Sequence, residues 1–169
     1  MLRQLLRPNW LPDCTLAELP LQALLDQQIR ALVLDVDRTL LPRRQKVLPE
    51  SMAQWLQRAR QTMPIHLFSN NPSRKRVGTV ANQLNLPYTI SAGKPRRSAL
   101  RRVLAELKLP HHEVALIGDR LFTDVIAGNR LGLFTVLVKP TDPLGQPCKR
   151  DRLQKIELLV ARRLGTSLG

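Results

Sequence analysis

Ala31-Leu32-Val33-Leu34-Asp35-Val36-Asp37-Arg38-Thr39-Leu40 sets an aliphatic run directly against two carboxylates. The part from Ala31 to Val36 is, Asp35 aside, apolar without alternation, as in a strand covered on both faces, and such strands belong to parallel sheets flanked by helices. The carboxyl end of a buried strand is an expensive place for charge. Asp35 and Asp37 stand two residues apart, so a regular strand sends both side chains to the same side, where like charges repel. A bound divalent cation removes the difficulty.

Outward from this stretch, four further apolar runs read as strands: Ile65 to Phe68, Tyr88 to Ile90, Val114 to Ile117 and Leu133 to Val138. Between them, Ser51 to Gln61, Arg74 to Leu84, Arg97 to Leu107 and Asp124 to Leu131 space their apolar residues at helical intervals. The alternation predicts an α/β fold with a doubly wound, parallel, five-stranded sheet. Pro72 and Pro95 are expected at helix starts. A final helix is expected over roughly 153–164, after the Pro-rich connection from Lys139 to Pro147. With 169 residues, the chain suits one domain spanning 1–169, with a motif core over about 31–138 and a basic N-terminal extension over 1–30.

The ends of the other strands complete a constellation. Ile117-Gly118-Asp119 ends the fourth strand as the first strand ends, and Asp124 follows at the next helix. In doubly wound sheets ligands bind outside the carboxyl ends of the strands, where the winding reverses. An oxygen-rich site of this kind suits Mg2+. Phe68-Ser69-Asn70-Asn71 ends the second strand with a hydroxyl and with amides expected at a helix N-terminus, and Lys94 precedes the helix after the third strand. Nucleophile, acid, metal site and phosphate clamp are the parts that phosphoryl transfer needs. Taken singly, each residue has a structural reading: an Asp or Ser after a strand caps helices, and a lone Lys is usually solvated.

In this order the residues resemble the haloacid dehalogenase-like (HAD) superfamily, whose four motifs match Asp35-Val36-Asp37-Arg38-Thr39, Ser69, Lys94 and Gly118-Asp119 with Asp124. The resemblance implies a Rossmann-like fold with Asp35 as the nucleophile that carries the phosphoryl group. It makes Asp37 the acid and base, sets Ser69 and Lys94 on the phosphoryl group, and gives Mg2+ to Asp35, the Asp37 carbonyl and Asp119. Asp124 would support Lys94 or a metal-bound water. Arg38, Thr39, Asn70 and Asn71 are the candidate substrate-contacting residues. Arg38 departs from the small or amide-bearing residue common at that place; a fork to a second anionic group of the substrate and a solvent-facing side chain are both open. Narrower similarity points to the YqeG-like branch, which includes phosphatidylglycerophosphate phosphatases, on Pro8-Asn9-Trp10-Leu11-Pro12, Phe68-Ser69-Asn70-Asn71, Ala92-Gly93-Lys94-Pro95, the stretch from Gly118 to Val125, and Gly128-Asn129-Arg130.

No cap domain fits between Asp37 and Ser69 or between Ser69 and Lys94, so the cleft is expected to be open to a phosphate on something large. Lys and Arg number 27 against 13 Asp and Glu, a formal charge of +14, which favours anionic partners. Phospholipid at a membrane surface is the expected partner, with a polynucleotide end or a phosphoprotein as alternatives. A catalytically silent nucleic-acid-binding module also suits the charge, but three Phe, two Trp and one Tyr leave little for base stacking. The segment from Met1 to Leu11 reads either as an interfacial anchor or as core packing. Likewise, Arg96, Arg97, Arg101 and Arg102 form either a solvated helix face or an anionic-surface contact. Cys14 and Cys148 have no metal-ligand spacing and are expected as free thiols; cytoplasm, with a peripheral place on a membrane, is the expected compartment.

Overall fold

The computed structural model describes residues 2–168, so the expected limits at Met1 and Gly169 fall outside the described residues. Five strands, β1 (Ala31–Leu34), β2 (Ile65–Phe68), β3 (Tyr88–Thr89), β4 (Val114–Gly118) and β5 (Phe134–Leu137), form one sheet in the order β3-β2-β1-β4-β5. All four pairings are parallel. The winding therefore reverses between β1 and β4, and Leu34 aligns with Ile117 there, which carries Asp35 and Asp119 to one crevice.

Alternation along β1 divides the core. Leu32 and Leu34 face a layer holding α3 (Glu50–Thr62) and α4 (Arg74–Gln83), while Ala31 and Val33 face α5 (Ser98–Leu107) and α6 (Ile126–Asn129). α3 buries Met52, Trp55, Leu56 and Ala59, one stripe at helical spacing, and carries Glu50 in its first turn and Arg60 in its last, matching the helix dipole. The Trp55 indole donates to the Leu19 carbonyl at 2.7 Å, fixing the segment with the short α2 (Leu21–Asp26) across that layer. Between the strands the insertions are these helices and short turns, and no cap stands over the strand ends among the described residues.

The expected proline starts are displaced. The Ser73 side chain accepts from the Arg76 amide at 3.1 Å, so α4 begins at Arg74 rather than at Pro72. Pro95 lies in a cis bond with Lys94, and a turn closed by the Arg96 amide on the Gly93 carbonyl precedes α5. The helix expected over Asp124 to Leu131 opens instead as a π-helical turn, Leu121–Val125, because the amides of Asp124 and Val125 share the Arg120 carbonyl at 3.0 and 3.3 Å. Such widened turns re-aim a side chain, here Asp124.

The N-terminal segment packs on the core. After the single turn α1 (Leu2–Leu5), Leu6 is buried with Leu121, Val125, Leu137 and Ala161, and Trp10 bridges Val136 at the side of β5. Asn9 and Asn129, from two of the motifs quoted above, meet on Thr135. The Thr135 amide and hydroxyl donate to Asn9 Oδ1 at 2.8 and 3.0 Å, and the hydroxyl lies 2.9 Å from Asn129 Oδ1. Asn129 Nδ2 donates to the carbonyls of Leu5 and Arg7, both at 2.9 Å. α7 (Leu153–Arg163) closes the chain.

Candidate active site

Regular strand geometry stops at Leu34, and the chain then turns back on itself. The Leu40 and Leu41 amides donate to the Val36 carbonyl at 2.9 and 3.0 Å, and Arg38 takes a left-handed φ of +70° that a non-glycine residue rarely adopts. The turn separates the two carboxylates. Asp35 is buried, its backbone amide donating to the Ile117 carbonyl, while the Asp37 side chain keeps 34% exposure. They project differently, against the expectation for an unbroken strand.

Each carboxylate has its own cation. Lys94 Nζ lies 2.6 Å from Asp35 Oδ1 and 2.6 Å from Asp124 Oδ1, and donates to the Phe68 carbonyl at 3.1 Å. Arg76 Nε donates to Asp37 Oδ1 at 2.7 Å, and Ser69 Oγ to Asp37 Oδ2 at 3.3 Å. Arg38 Nε stands 3.4 Å from Asp119 Oδ2 and its other nitrogen pairs with Asp151. Arg38 is thus ion-paired to both acids, yet its side chain keeps 23% exposure and lines the cleft. Thr39, expected to touch substrate, is fully buried and donates to Asp35 Oδ2 at 3.3 Å and Asp119 Oδ1 at 3.4 Å, a place behind the carboxylates.

The second strand's end also differs in detail. Asn70 clamps the Lys94 backbone, accepting from its amide at 2.7 Å and donating to its carbonyl at 3.2 Å. The Asn71 amide donates to Ser69 Oγ at 3.0 Å, and Asn71 Oδ1 accepts from the Ser73 amide at 2.8 Å. The amides of Asn70 and Asn71 thus belong to a turn three residues ahead of α4, not to a helix N-terminus.

Burial dominates the electrostatics. It pushes the Asp35 carboxyl up to about 6, with Lys94 pulling down and Asp124 pushing further up. Asp119 is also held well above the usual carboxylate range, first by burial and then by Asp35 and Asp124, against Arg38 and Arg120. Burial works to lower Lys94, but Asp124 and Asp35 outweigh it and hold the ammonium above its ordinary range.

Oxygens of Asp35, Asp119 and Asp124 lie within 4.8 Å of one another, and Asp119 Oδ2 is buried without a hydrogen-bond donor. An anionic oxygen with only the long ion pair to Arg38 and no hydrogen bond, beside two more carboxylates, fits a hard divalent cation such as Mg2+. Gly118 makes the approach possible, since a Cβ there would sit 2.3 Å from the Asp124 carboxyl. The Asp37 side chain lies outside this trio.

Asp35, Asp37, Ser69, Lys94, Asp119 and Arg120, together with Arg38, Asn70 and Asn71 expected to contact substrate, line a shallow cavity of about 140 Å³ at the carboxyl ends of β1, β2 and β4. A larger space of about 860 Å³ lies by Arg7, Trp10 and Asn129. Its lining holds no carboxylate, whereas Asp35, Asp37 and Asp119 line the smaller cleft. Arg76, Arg120 and Asp151 were not among the residues expected from sequence. The Ser73 cap fixes the first turn of α4 and so aims Arg76, a signal readable in Ser73-Arg74-Lys75-Arg76. Asp151 meets Arg38 across more than a hundred residues, and no local pattern announces it.

An open α/β crevice holds two buried carboxylates bridged by Lys94 and a third, Asp119, beside them, the kinds of group that phosphoryl transfer uses. Residues 91–142 match the HAD-hydrolase-like family. The chain is 29% identical over 120 residues to "Probable phosphatase YqeG" of Bacillus subtilis, covering 70% of this chain and 69% of that protein. It is 29% identical over 98 residues to the chloroplastic phosphatidylglycerophosphate phosphatase 1 of Chlamydomonas reinhardtii, covering 54% of this chain but only 36% of that one. Among solved structures, 3-deoxy-D-manno-octulosonate 8-phosphate phosphatase from Moraxella catarrhalis, in complex with magnesium, phosphate and KDO, superposes with a TM-score of 0.52 at 15% identity, covering 85% of this chain and 92% of that one. The chain is thus similar to HAD-like hydrolases over residues 91–142 and, over most of its length, to a YqeG-like phosphatase.

Proposed function

We propose that this protein is a Mg2+-dependent phosphomonoesterase that forms an aspartyl phosphate on Asp35 and acts on phosphatidylglycerophosphate. The observation that supports the chemistry best is the meeting of Asp35, Asp37, Ser69, Lys94 and Asp119 in one cleft, each held by a partner of opposite charge or by a hydrogen bond. Asp35 attacks phosphorus as the bond to the leaving oxygen breaks. Asp37, the more exposed carboxyl, gives that oxygen its proton and then takes one from the water that hydrolyses the intermediate. Ser69 and Lys94 orient the transferred group, and Arg76 keeps Asp37 aimed into the cleft. Asp35, the Asp37 carbonyl and Asp119 would hold Mg2+, which would supply charge stabilisation for the phosphoryl oxygens. Asp124 positions Lys94 by the contact at 2.6 Å.

The lipid substrate draws its support from the uncapped cleft, the charge of +14 and the chloroplastic relative. A substrate panel with Mg2+ tests it: phosphatidylglycerophosphate in mixed micelles, a soluble phosphomonoester, a 5′-phosphorylated oligonucleotide and a phosphoprotein. The expected result is the highest kcat/KM on the lipid. A higher value on the oligonucleotide or phosphoprotein replaces the lipid, and binding of nucleic acid with no turnover of any member removes the enzyme reading.

A further inference from the structure

α7 packs Ala161 and Leu158 on the core, but it also buries polar side chains and leaves much of its apolar surface outside. The residues it turns inward include Gln154 and Glu157. Gln154 Nε2 donates to the carbonyls of Asp119 and Val138, both at 2.7 Å, and Glu157 accepts from the Leu121 amide at 2.7 Å and from Arg120 Nε at 2.8 Å. The residues it leaves in solvent include Leu153, Ile156, Leu159, Val160 and, just past its end, Leu164; Ile156 is 54% exposed and Leu159 50%.

At 3.6 residues per turn these five side chains fall on one arc, interrupted by Arg163 and bordered on one side by Lys155 and Arg162 and on the other by the buried Glu157. Arg152 at the start of the helix is exposed as well, and so are Lys149 and Arg150 before it. The only acidic residue within the helix is the buried Glu157, so the outer face carries apolar and cationic groups alone. Arg3 Nε donates to the Leu164 carbonyl at 3.1 Å, which brings Leu2, 56% exposed, to the same end.

We propose that α7 is an interfacial helix that lays its outer arc, Leu153 to Leu164, into the surface of an anionic lipid bilayer. Charge complementarity selects this occupant: apolar side chains flanked by Lys and Arg, with no exposed acid between them, match acyl chains beneath anionic headgroups. The polar anchors on Asp119, Leu121 and Arg120 hold the helix formed before it meets the lipid, so docking carries little ordering cost. They also set the catalytic loop about one helix diameter, roughly 10 Å, from that surface. The docking face stands apart from the choice of substrate.

The full chain is cosedimented with vesicles of phosphatidylglycerol and phosphatidylcholine, or of phosphatidylcholine alone, with no phosphomonoester present, so that binding is scored without turnover. Wild type is expected to bind the anionic vesicles, to bind the neutral ones weakly and to lose binding at high salt. The double variant Ile156→Glu, Leu159→Glu should lose about tenfold or more of that binding. It should keep its melting temperature and its turnover of p-nitrophenyl phosphate. Three outcomes overturn the proposal: a double variant that binds like wild type, a wild type that ignores anionic vesicles, or a wild-type dimer by light scattering that the variant dissolves without changing vesicle binding. The last would make the face a contact between copies. If vesicles bind as expected while phosphatidylglycerophosphate is not hydrolysed, the docking face stands and the substrate reading fails.

Discussion

The strand ends of β1 and β4 and the outer face of α7 break the ordinary sorting of residues in opposite directions. One buries carboxylates; the other exposes leucines. In the cleft every buried charge has a named partner: Lys94 between Asp35 and Asp124, Thr39 beneath Asp35 and Asp119, Arg38 beside Asp119. On α7 the outward Leu and Ile side chains have no such compensation, and the polar face beneath them is fully engaged. A violation that is compensated is held in place by the fold and should be costly to alter. One that is not should be cheap to alter as far as folding goes, because its counterpart lies outside the chain.

Variants can break this contrast. The largest expected effect is on turnover: Asp35→Asn should lower kcat by about a thousandfold or more, since an amide supplies no nucleophilic oxygen. A variant keeping a tenth of the wild-type rate on a soluble phosphomonoester would discard the aspartyl-phosphate reading. For stability, Lys94→Met should cost about 3–5 kcal/mol in urea unfolding without metal, because it leaves Asp35 and Asp124 buried and unpaired. Added Mg2+ should recover part of that loss, and no recovery would argue against a metal at these carboxylates. Next comes Gly118→Ala, whose methyl would meet the Asp124 carboxyl at 2.3 Å; about 1–3 kcal/mol is expected, together with weaker Mg2+ binding by titration. The smallest effect closes the series. Leu159→Glu on α7 should change unfolding free energy by less than about 0.5 kcal/mol. A loss as large as that of Lys94→Met would show that the outward face is part of the core after all.

Much of the fold was legible because its signals are local. The run Ala31–Leu34 needs no partner to be recognised as a covered strand, and Asp35, Ser69, Lys94 and Asp119 each stand directly after such a run or before a helix. Their convergence follows from parallel pairing alone. What the sequence concealed depends on contacts between distant segments. Asp37 leaves the line of Asp35 because the chain turns at Arg38, and nothing in Asp35-Val36-Asp37 forecasts that turn. Thr39 changes from a substrate-facing group to a support for the same reason. The turn of Leu16–Glu18 carries a local signal of its own: Thr15 and Glu18 form a capping box, with the Thr15 amide donating to Glu18 at 2.8 Å. α7 marks a different limit. Periodicity tells which side chains share a face, but the inward side was decided by Asp119, Leu121 and Arg120, far away in the chain.

The bridge of Trp10 to Val136 has a consequence for the outer edge of the sheet. β5 is the last strand of the sheet, and the Trp10 amide and carbonyl engage the Thr135 carbonyl and the Leu137 amide, both at 3.0 Å. Those two groups would otherwise form an open hydrogen-bonding edge, ready to template a strand from another molecule. Residues 9–11 thus act as a selvage on the sheet, fastened by Asn9 and Asn129 to Thr135. A chain cut after Leu11 should fail first by clumping rather than by losing chemistry, with aggregation rising steeply with concentration while the remaining monomer still turns over a soluble ester.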